Sequence, residues 1–262
     1  MQKIDNKMPK NKLKKFAEMA QMENVFEFGL QRILQGEVFH LKGNWNKNFF
    51  KNDKPIVLEL GCGRGEYTLG LAKNCYEKNY IGIDIKGARM WSGATEANVL
   101  NLKNVAFVRT DIQQLNAFFA QDEISEIWLT FPDPQMKKQR KRLTSTRFLD
   151  YYKNILKNNG AIHLKTDSNF LFTYTSALVE KNNLPLITKI DDLYSSEIYA
   201  QNADLQIKTY YESQWDARGI NIKYLEFLLP KNTELEEPNI EIEFDEYRSY
   251  GRQKRSELSL GI

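Results

Sequence analysis

Ile56-Val57-Leu58-Glu59-Leu60-Gly61-Cys62-Gly63-Arg64-Gly65 is the stretch that decides the fold. Four apolar residues around one acid make a short strand fit for burial on both faces. Three glycines at alternate positions then turn the chain where side chains would hinder it. Glu66 to Asn74 follows as a helix, so a strand, a glycine turn and a helix open a βα unit.

Downstream the same alternation continues. The apolar runs predict strands at Tyr80 to Asp84, Val105 to Arg109, Glu126 to Phe131 and Ala161 to Lys165. The stretches between and after them predict helices at Ala88 to Leu100, Gln113 to Ala120, Thr144 to Lys157 and Ser168 to Glu180. Ile220 to Leu229, closed by Pro230, has the composition of a last, antiparallel strand returning to the sheet. The expected fold is α/β: a Rossmann-like, doubly wound, mostly parallel sheet. The expected division is a basic, partly helical extension over 1–50, with an apolar-periodic stretch near Phe16 to Leu34, a catalytic domain over 51–230 and a charged tail over 231–262.

In open sheets of this kind ligands bind beyond the carboxyl ends of the strands. An acid stands at each of those ends: Glu59, Asp84, Asp111, Asp133 and Asp167. The spacing Gly61-x-Gly63-x-Gly65 departs from the G-x-G-x-x-G of dinucleotide folds. Glu59, just before the turn, would repel a pyrophosphate and favour a cationic, phosphate-free group such as the methionine end of S-adenosylmethionine. Asp84 is spaced to accept from two ribose hydroxyls and Asp111 from an adenine amino group. Each acid alone reads equally as a helix cap or a solvated turn residue. Cys62 has no Pro-Cys partner motif and reads as packing, His163 as a strand residue, and Tyr151, Tyr152, Phe170, Phe172 and Tyr174 as core.

Composition narrows the class further. A 42% hydrophobic content over 262 residues is ample for a buried core, and no apolar run reaches the roughly 18 residues of a membrane span. The Lys-rich start is not a signal sequence, so a soluble, cytoplasmic protein is expected. Two cysteines and two histidines supply neither a disulfide framework nor a metal cluster. The net charge of +3 hides two basic blocks. Lys3, Lys7, Lys10, Lys12, Lys14 and Lys15 form an arm that reads equally as a solvated tail. Lys137, Lys138, Arg140, Lys141, Arg142 and Arg147 meet no acid between Pro134 and Leu149, which suits a polyanion. Glu234 to Glu246 is acidic and precedes Arg248, Arg252, Lys254 and Arg255; no function is read from it.

The second block follows Phe131-Pro132-Asp133-Pro134. Two prolines restrict the backbone around Asp133, as an orienting carboxylate requires. The Asn/Asp-Pro-Pro-aromatic tetrapeptide of amino-group methyltransferases is absent. The chain resembles the bacterial tRNA (guanine-N(7))-methyltransferase family in this motif, in the basic run from Lys137 that ends at Arg142-Leu143, in Leu164-Lys165-Thr166-Asp167, and in Thr209-Tyr210-Tyr211-Glu212 followed by Gly219. It departs from the family in Gln135, where a Trp is usual, and in a slightly shorter basic run.

The resemblance implies a class I methyltransferase fold, S-adenosylmethionine as methyl donor, and tRNA as partner with a variable-loop guanine as target. It also implies cofactor positions at Glu59, Gly61, Gly63, Asp84, Asp111 and Asp133. Asp133 would be catalytic, and Lys137, Asp167, Thr209, Tyr210, Tyr211 and Glu212 would bind substrate. The rival readings are a methyltransferase with a small-molecule or protein substrate and an RNA-binding protein without activity. The oligomeric state, monomer or homodimer, is left open by the sequence.

Overall fold

A computed structural model of the chain describes residues 10–216 and 220–245. In chain order its elements are α1 (Lys10–Met19), β1 (Val25–Glu27), α2 (Leu30–Leu34), β2 (Ile56–Leu60), α3 (Glu66–Asn74), β3 (Asn79–Asp84), α4 (Gly87–Val99), β4 (Val105–Arg109) and α5 (Leu115–Phe118). There follow β5 (Ile124–Thr130), α6 (Thr146–Ile155), β6 (Leu156–Thr166), α7 (Asn169–Lys181), β7 (Leu186–Ile190), α8 (Glu197–Gln201), α9 (Tyr210–Asp216) and β8 (Lys223–Leu229). Lys3, Lys7, Gly219, Arg248, Arg252, Lys254 and Arg255, singled out in the sequence, lie outside the described residues.

The strands form one sheet in the order β1-β4-β3-β2-β5-β6-β8-β7. Neighbours from β1 to β6 pair parallel, while β8 runs antiparallel to β6 and β7 antiparallel to β8. The doubly wound sheet and its antiparallel last strand are therefore as the sequence predicts. Both faces of the central strands are buried, and the period of two along each strand sorts side chains between them. Leu58, Ile81, Val108 and Ile127 join the layer with α5, α6 and α7, whereas Val57, Tyr80, Phe107 and Trp128 join the layer with α3 and α4.

Several elements differ from expectation. Val25-Phe26-Glu27 adds a strand beside β4, and Leu186 to Ile190 adds the far edge. Only neighbouring strands define these two short runs. The helix expected over Gln113 to Ala120 shrinks to a 3-10 turn and α5, because side chains from upstream capture its carbonyls. The Trp45 indole N–H donates to Phe118 O at 3.0 Å, and Lys42 Nζ donates to Asn116 O at 2.6 Å. The last two residues of the helix expected to Lys157 belong instead to β6, which starts at Leu156 with no loop between.

Phe28, Phe39, Leu41, Trp45 and Phe50 are buried in the same core as the sheet. Trp45 is wholly buried and stacks on Phe119 at 5.7 Å between ring centroids. Among the described residues, no helix is long and apolar enough to cross a membrane. Trp45→Ala is expected to lower stability by about 3–5 kcal/mol in urea unfolding, the range for emptying a buried aromatic position. A loss under 1 kcal/mol would show that the segment before β2 lies outside the cooperative unit.

Candidate active site

The sheet order reverses between β2 and β5, so the loops after these two strands diverge and leave a crevice at the carboxyl edge. The loop after β2 carries the three glycines, all at positive φ (82°, 56° and 78°). A Cβ on Gly65 would stand 2.7 Å from the Phe107 ring, so glycine is needed there for close approach. At Gly61 a Cβ would point into open space, and at Gly63 it would meet nothing closer than Gly61 O at 4.0 Å, so no side chain is packed over these two positions. Gly61 and Cys62 donate to Ile83 O at 2.7 and 3.0 Å, which ties the loop to β3. The Cys62 side chain is buried, and burial pushes its thiol well above its ordinary value.

Asp84 closes β3. Its carboxylate accepts from Gly63 N at 2.9 Å and from Lys86 N at 2.7 Å, so its orientation is fixed, and each oxygen keeps a lone pair for a ligand hydroxyl. Asp111 caps the 3-10 turn after β4 by accepting from Gln113 N at 2.9 Å, and it remains exposed.

Glu59 is 3% exposed. One oxygen accepts from Thr68 N, at the third position of α3, at 2.7 Å and from the Thr68 hydroxyl; the other accepts from Thr130 Oγ1, at the end of β5, at 2.6 Å. Burial pushes its carboxyl up to about 7, against the lowering by the Thr130 and Thr68 bonds. It is thus the floor of the crevice as well as an acid beside it.

Beyond β5 the chain takes positive φ at Phe131 (49°) and Gln135 (45°), residue types that seldom adopt it. Such strain, of order 1–3 kcal/mol per residue, persists where the surroundings fix it, commonly at functional sites. Phe131 N donates to Lys165 O at 2.8 Å, and Asp133 Oδ1 accepts from Gln135 N at 3.0 Å. Asp133 is therefore exposed but held. Lys137, Lys138, Arg140 and Lys141 follow, all exposed. Arg142 does not join them: it is buried between Phe170 and Tyr174, 4.7 and 4.4 Å from the ring centroids.

Thr209-Tyr210-Tyr211-Glu212 opens α9 as a capping box, not as a strand start. Glu212 N donates to Thr209 Oγ1 at 3.1 Å, and Thr209 N donates to Glu212 Oε2 at 3.3 Å. Glu212 Oε1 also meets Lys165 Nζ at 2.8 Å and accepts from Tyr194 OH at 2.6 Å; Lys165 and Glu212 are both wholly buried. Lys165 Nζ donates further to Leu205 O and Ile207 O. Tyr210 N donates to Glu66 Oε2 at 2.9 Å, its ring carries the Arg64 guanidinium at 4.7 Å, and Tyr211 lies 5.9 Å from Phe131. The glycine loop, the Pro-Asp-Pro loop and the start of α9 thereby converge.

Asp167 directly follows β6 and is 1% exposed. It does not cap α7, since Ser168 does so by accepting from Leu171 N at 3.0 Å. Asp167 and Glu212 are thus recessed, whereas Tyr210 and Tyr211 present surface and Lys137 stands on the outer side of its loop. His163 is packed flat on Trp128 at 4.1 Å, bonded to Tyr224 OH at 2.8 Å and lowered to about 3 by burial, which keeps it neutral.

Sequence reasoning missed Thr68, Thr130, Lys165 and Tyr194. The one usable signal was Lys165 itself, a lysine at the end of the strand expected over Ala161 to Lys165. Among the described residues no group of His, Cys, Asp and Glu side chains is placed to hold a metal ion.

The same fold occurs in the crystal structure of the 16S rRNA methyltransferase KamB (TM-score 0.56, 10% identity, 74% of this chain and 95% of that one). It occurs again in the 16S rRNA (adenine(1408)-N(1))-methyltransferase from Catenulisporales acidiphilia (TM-score 0.53, 12% identity, 74% and 96%). Residues 53–225 match the family model described as "Putative methyltransferase". Fold, crevice and family together define a methyltransferase of the doubly wound class that uses S-adenosylmethionine.

The tRNA (guanine-N(7)-)-methyltransferase of Bacteroides fragilis is 59% identical over 251 residues, covering 96% of this chain and 98% of its own length. That of Porphyromonas gingivalis is 57% identical over 241 residues, covering 91% and 98%. The chain belongs to the tRNA (guanine-N(7))-methyltransferase family.

Two predictions follow from the buried acids. Because folding raises the Glu59 pKa, the stability it contributes is fully present below about pH 4.5, falls as pH rises to about 7 and is level above, a change of about 3 kcal/mol. Glu59→Gln should remove this slope from unfolding free energies measured between pH 4.5 and 8; an unchanged slope would show that Glu59 ionises as freely folded as unfolded. Lys165→Met leaves the Glu212 charge buried and should cost about 3–5 kcal/mol. Adding Glu212→Gln should restore part of the loss, and a strictly additive double-mutant cycle would mean the pair is not coupled.

Proposed function

We propose that the chain transfers the methyl group of S-adenosylmethionine to guanine N(7) in the variable loop of tRNA, acting in the cytoplasm. The observation that carries this reading is the convergence of the glycine loop, the rigid Asp133 and the start of α9 on one crevice, with four exposed basic side chains beside it, in a member of this family.

The crevice suits the methyl donor. Open backbone at Gly61 and Gly63 leaves room for a ligand against the loop, Asp84 has acceptor capacity for ribose hydroxyls, Asp111 stands exposed on the adenine side, and Glu59 adds negative character at the methionine end. Bound there, S-adenosylmethionine supplies an electrophilic methyl group on a sulfonium.

Guanine N(7) is a lone pair without a proton, so no general base is needed and alignment dominates the rate. Asp133, held by Gln135 N, orients the purine and stabilises the positive charge that methylation creates. Tyr210 and Tyr211 offer the ring surface, with Thr209 beside them. Glu212 acts mainly through Thr209 and Lys165, and Asp167 from its recess accepts from the purine edge. Lys137 and its neighbours bind phosphates, a term that weakens as salt rises.

Purified protein with labelled methyl donor should convert guanine to 7-methylguanosine in unmethylated tRNA, and replacing the variable-loop guanine should abolish the label. Asp133→Ala should lower kcat/KM by about a hundredfold or more, the scale for losing one preorganised charge-stabilising group. No transfer, label on another base, or full activity in Asp133→Ala would overturn the reading.

A further inference from the structure

The acidic stretch after β8 was the part of the sequence that no function absorbed. Residues 230–245 form neither helix nor strand, yet they are pinned to the fold along their length. Lys231 N donates to Asn158 Oδ1 at 3.1 Å, and Glu236 exchanges two backbone hydrogen bonds with the Asn182 side chain at 2.6 and 2.8 Å.

The Glu237 carboxylate accepts four hydrogen bonds. Oε1 takes Thr146 N at 3.1 Å and Thr146 Oγ1 at 2.8 Å, while Oε2 takes Gln139 Nε2 at 2.6 Å and Tyr174 OH at 2.5 Å. Thr146 is the first residue of α6, whose own cap, Ser145, makes no side-chain cap bond. Glu237 therefore supplies that cap from 91 residues away. Gln139 belongs to the basic loop. Burial would raise this carboxyl, but the bonds from Tyr174, Gln139 and Thr146 outweigh it and hold it below its ordinary value.

Asp245 repeats the arrangement at α7. It accepts from Phe170 N at 3.0 Å and from the Ser168 hydroxyl, and its own N–H meets Met136 Sδ at 3.2 Å. Met136 lies between Asp133 and Lys137, and its carbonyl also receives Arg142 Nη2 at 2.9 Å. The loop from 136 to 142 is therefore held from inside by Arg142 and from outside by the acidic segment.

We propose that Glu237 and Asp245 are positioning residues for the transfer reaction: by capping α6 and α7 they fix the loop that carries Asp133 and Lys137 in its substrate-binding arrangement. This rests on the reading of that loop as the tRNA face. Among the described residues, the segment's hydrogen bonds reach the Met136 to Thr146 side of the crevice and none reaches the glycine loop, so the proposed action is on tRNA and not on the methyl donor.

The test compares wild type with Glu237→Ala, Glu237→Gln and Asp245→Asn. Amide hydrogen exchange, tRNA steady-state kinetics and S-adenosylmethionine affinity are measured on each, with exchange in β2 and β5 as the check on folding. Glu237→Ala should speed exchange across 136–147 and raise KM for tRNA about tenfold, a modest misplacement on the scale of positioning effects. Affinity for S-adenosylmethionine should stay within about twofold of wild type. Glu237→Gln keeps an acceptor for Thr146 and should fall between the two, and Asp245→Asn should resemble it.

Unchanged exchange in 136–147, faster exchange with wild-type tRNA kinetics, or a parallel loss of S-adenosylmethionine affinity each overturn the proposal. A wild-type protein that leaves tRNA unmethylated overturns the function reading itself, and is seen before any variant is compared.

Discussion

The Glu59 carboxylate joins β2, α3 and β5 at the point where the strand order reverses. The loops that form the two walls of the crevice leave the sheet immediately beyond these bonds. Thr68 and Thr130 hold the acid, and the acid holds the separation between the loops. Burying a carboxylate is unfavourable by itself, which is why its proton affinity rises. Three donors offset that cost and give a floor whose geometry cannot slide, and every other part of the site is built above it.

The same constraint recurs around the crevice. Helices that follow parallel strands start at the carboxyl edge of the sheet, and each start exposes backbone N–H groups that need acceptors. This chain meets much of the need with carboxylates brought from elsewhere: Glu59 for α3, Glu237 for α6, and Asp245 for α7, where it adds to the local Ser168 cap. At α9 the residues are local, Thr209 and Glu212, and Lys165 then couples that helix start to β6. Secondary-structure termini and site geometry are thus fixed by one set of bonds. A helix start that is capped by a distant acid cannot move without moving the acid's own strand or segment.

What was legible in the sequence follows from this. The parallel sheet, the glycine loop, the acids at strand ends and the rigid Asp133 all rest on local period and local turn chemistry, and each could be read directly. β1 and β7 could not, since three to five residues become strands only beside β4 and β8. The acidic segment could not, because its acceptors match donors up to 98 residues away. Thr209 to Glu212 was open to a rival reading as a strand start, although threonine followed three residues later by glutamate is the signature of a capping box. Arg142 counted as part of a basic surface, and only the aromatic rings of α7 reveal that it is packed inside.

The placement of β8 carries a consequence for how the protein is made. β6 lies between β5 and β8 in the sheet, yet the strand that covers its outer edge is encoded more than fifty residues later, at Lys223–Leu229. During synthesis the β6 edge, with Ile162 and Leu164 on it, stays without that partner until this late stretch leaves the ribosome. Unpaired strand edges are templates for pairing between chains. The nascent protein is therefore most prone to associate with its neighbours in the interval between completing β6 and completing β8.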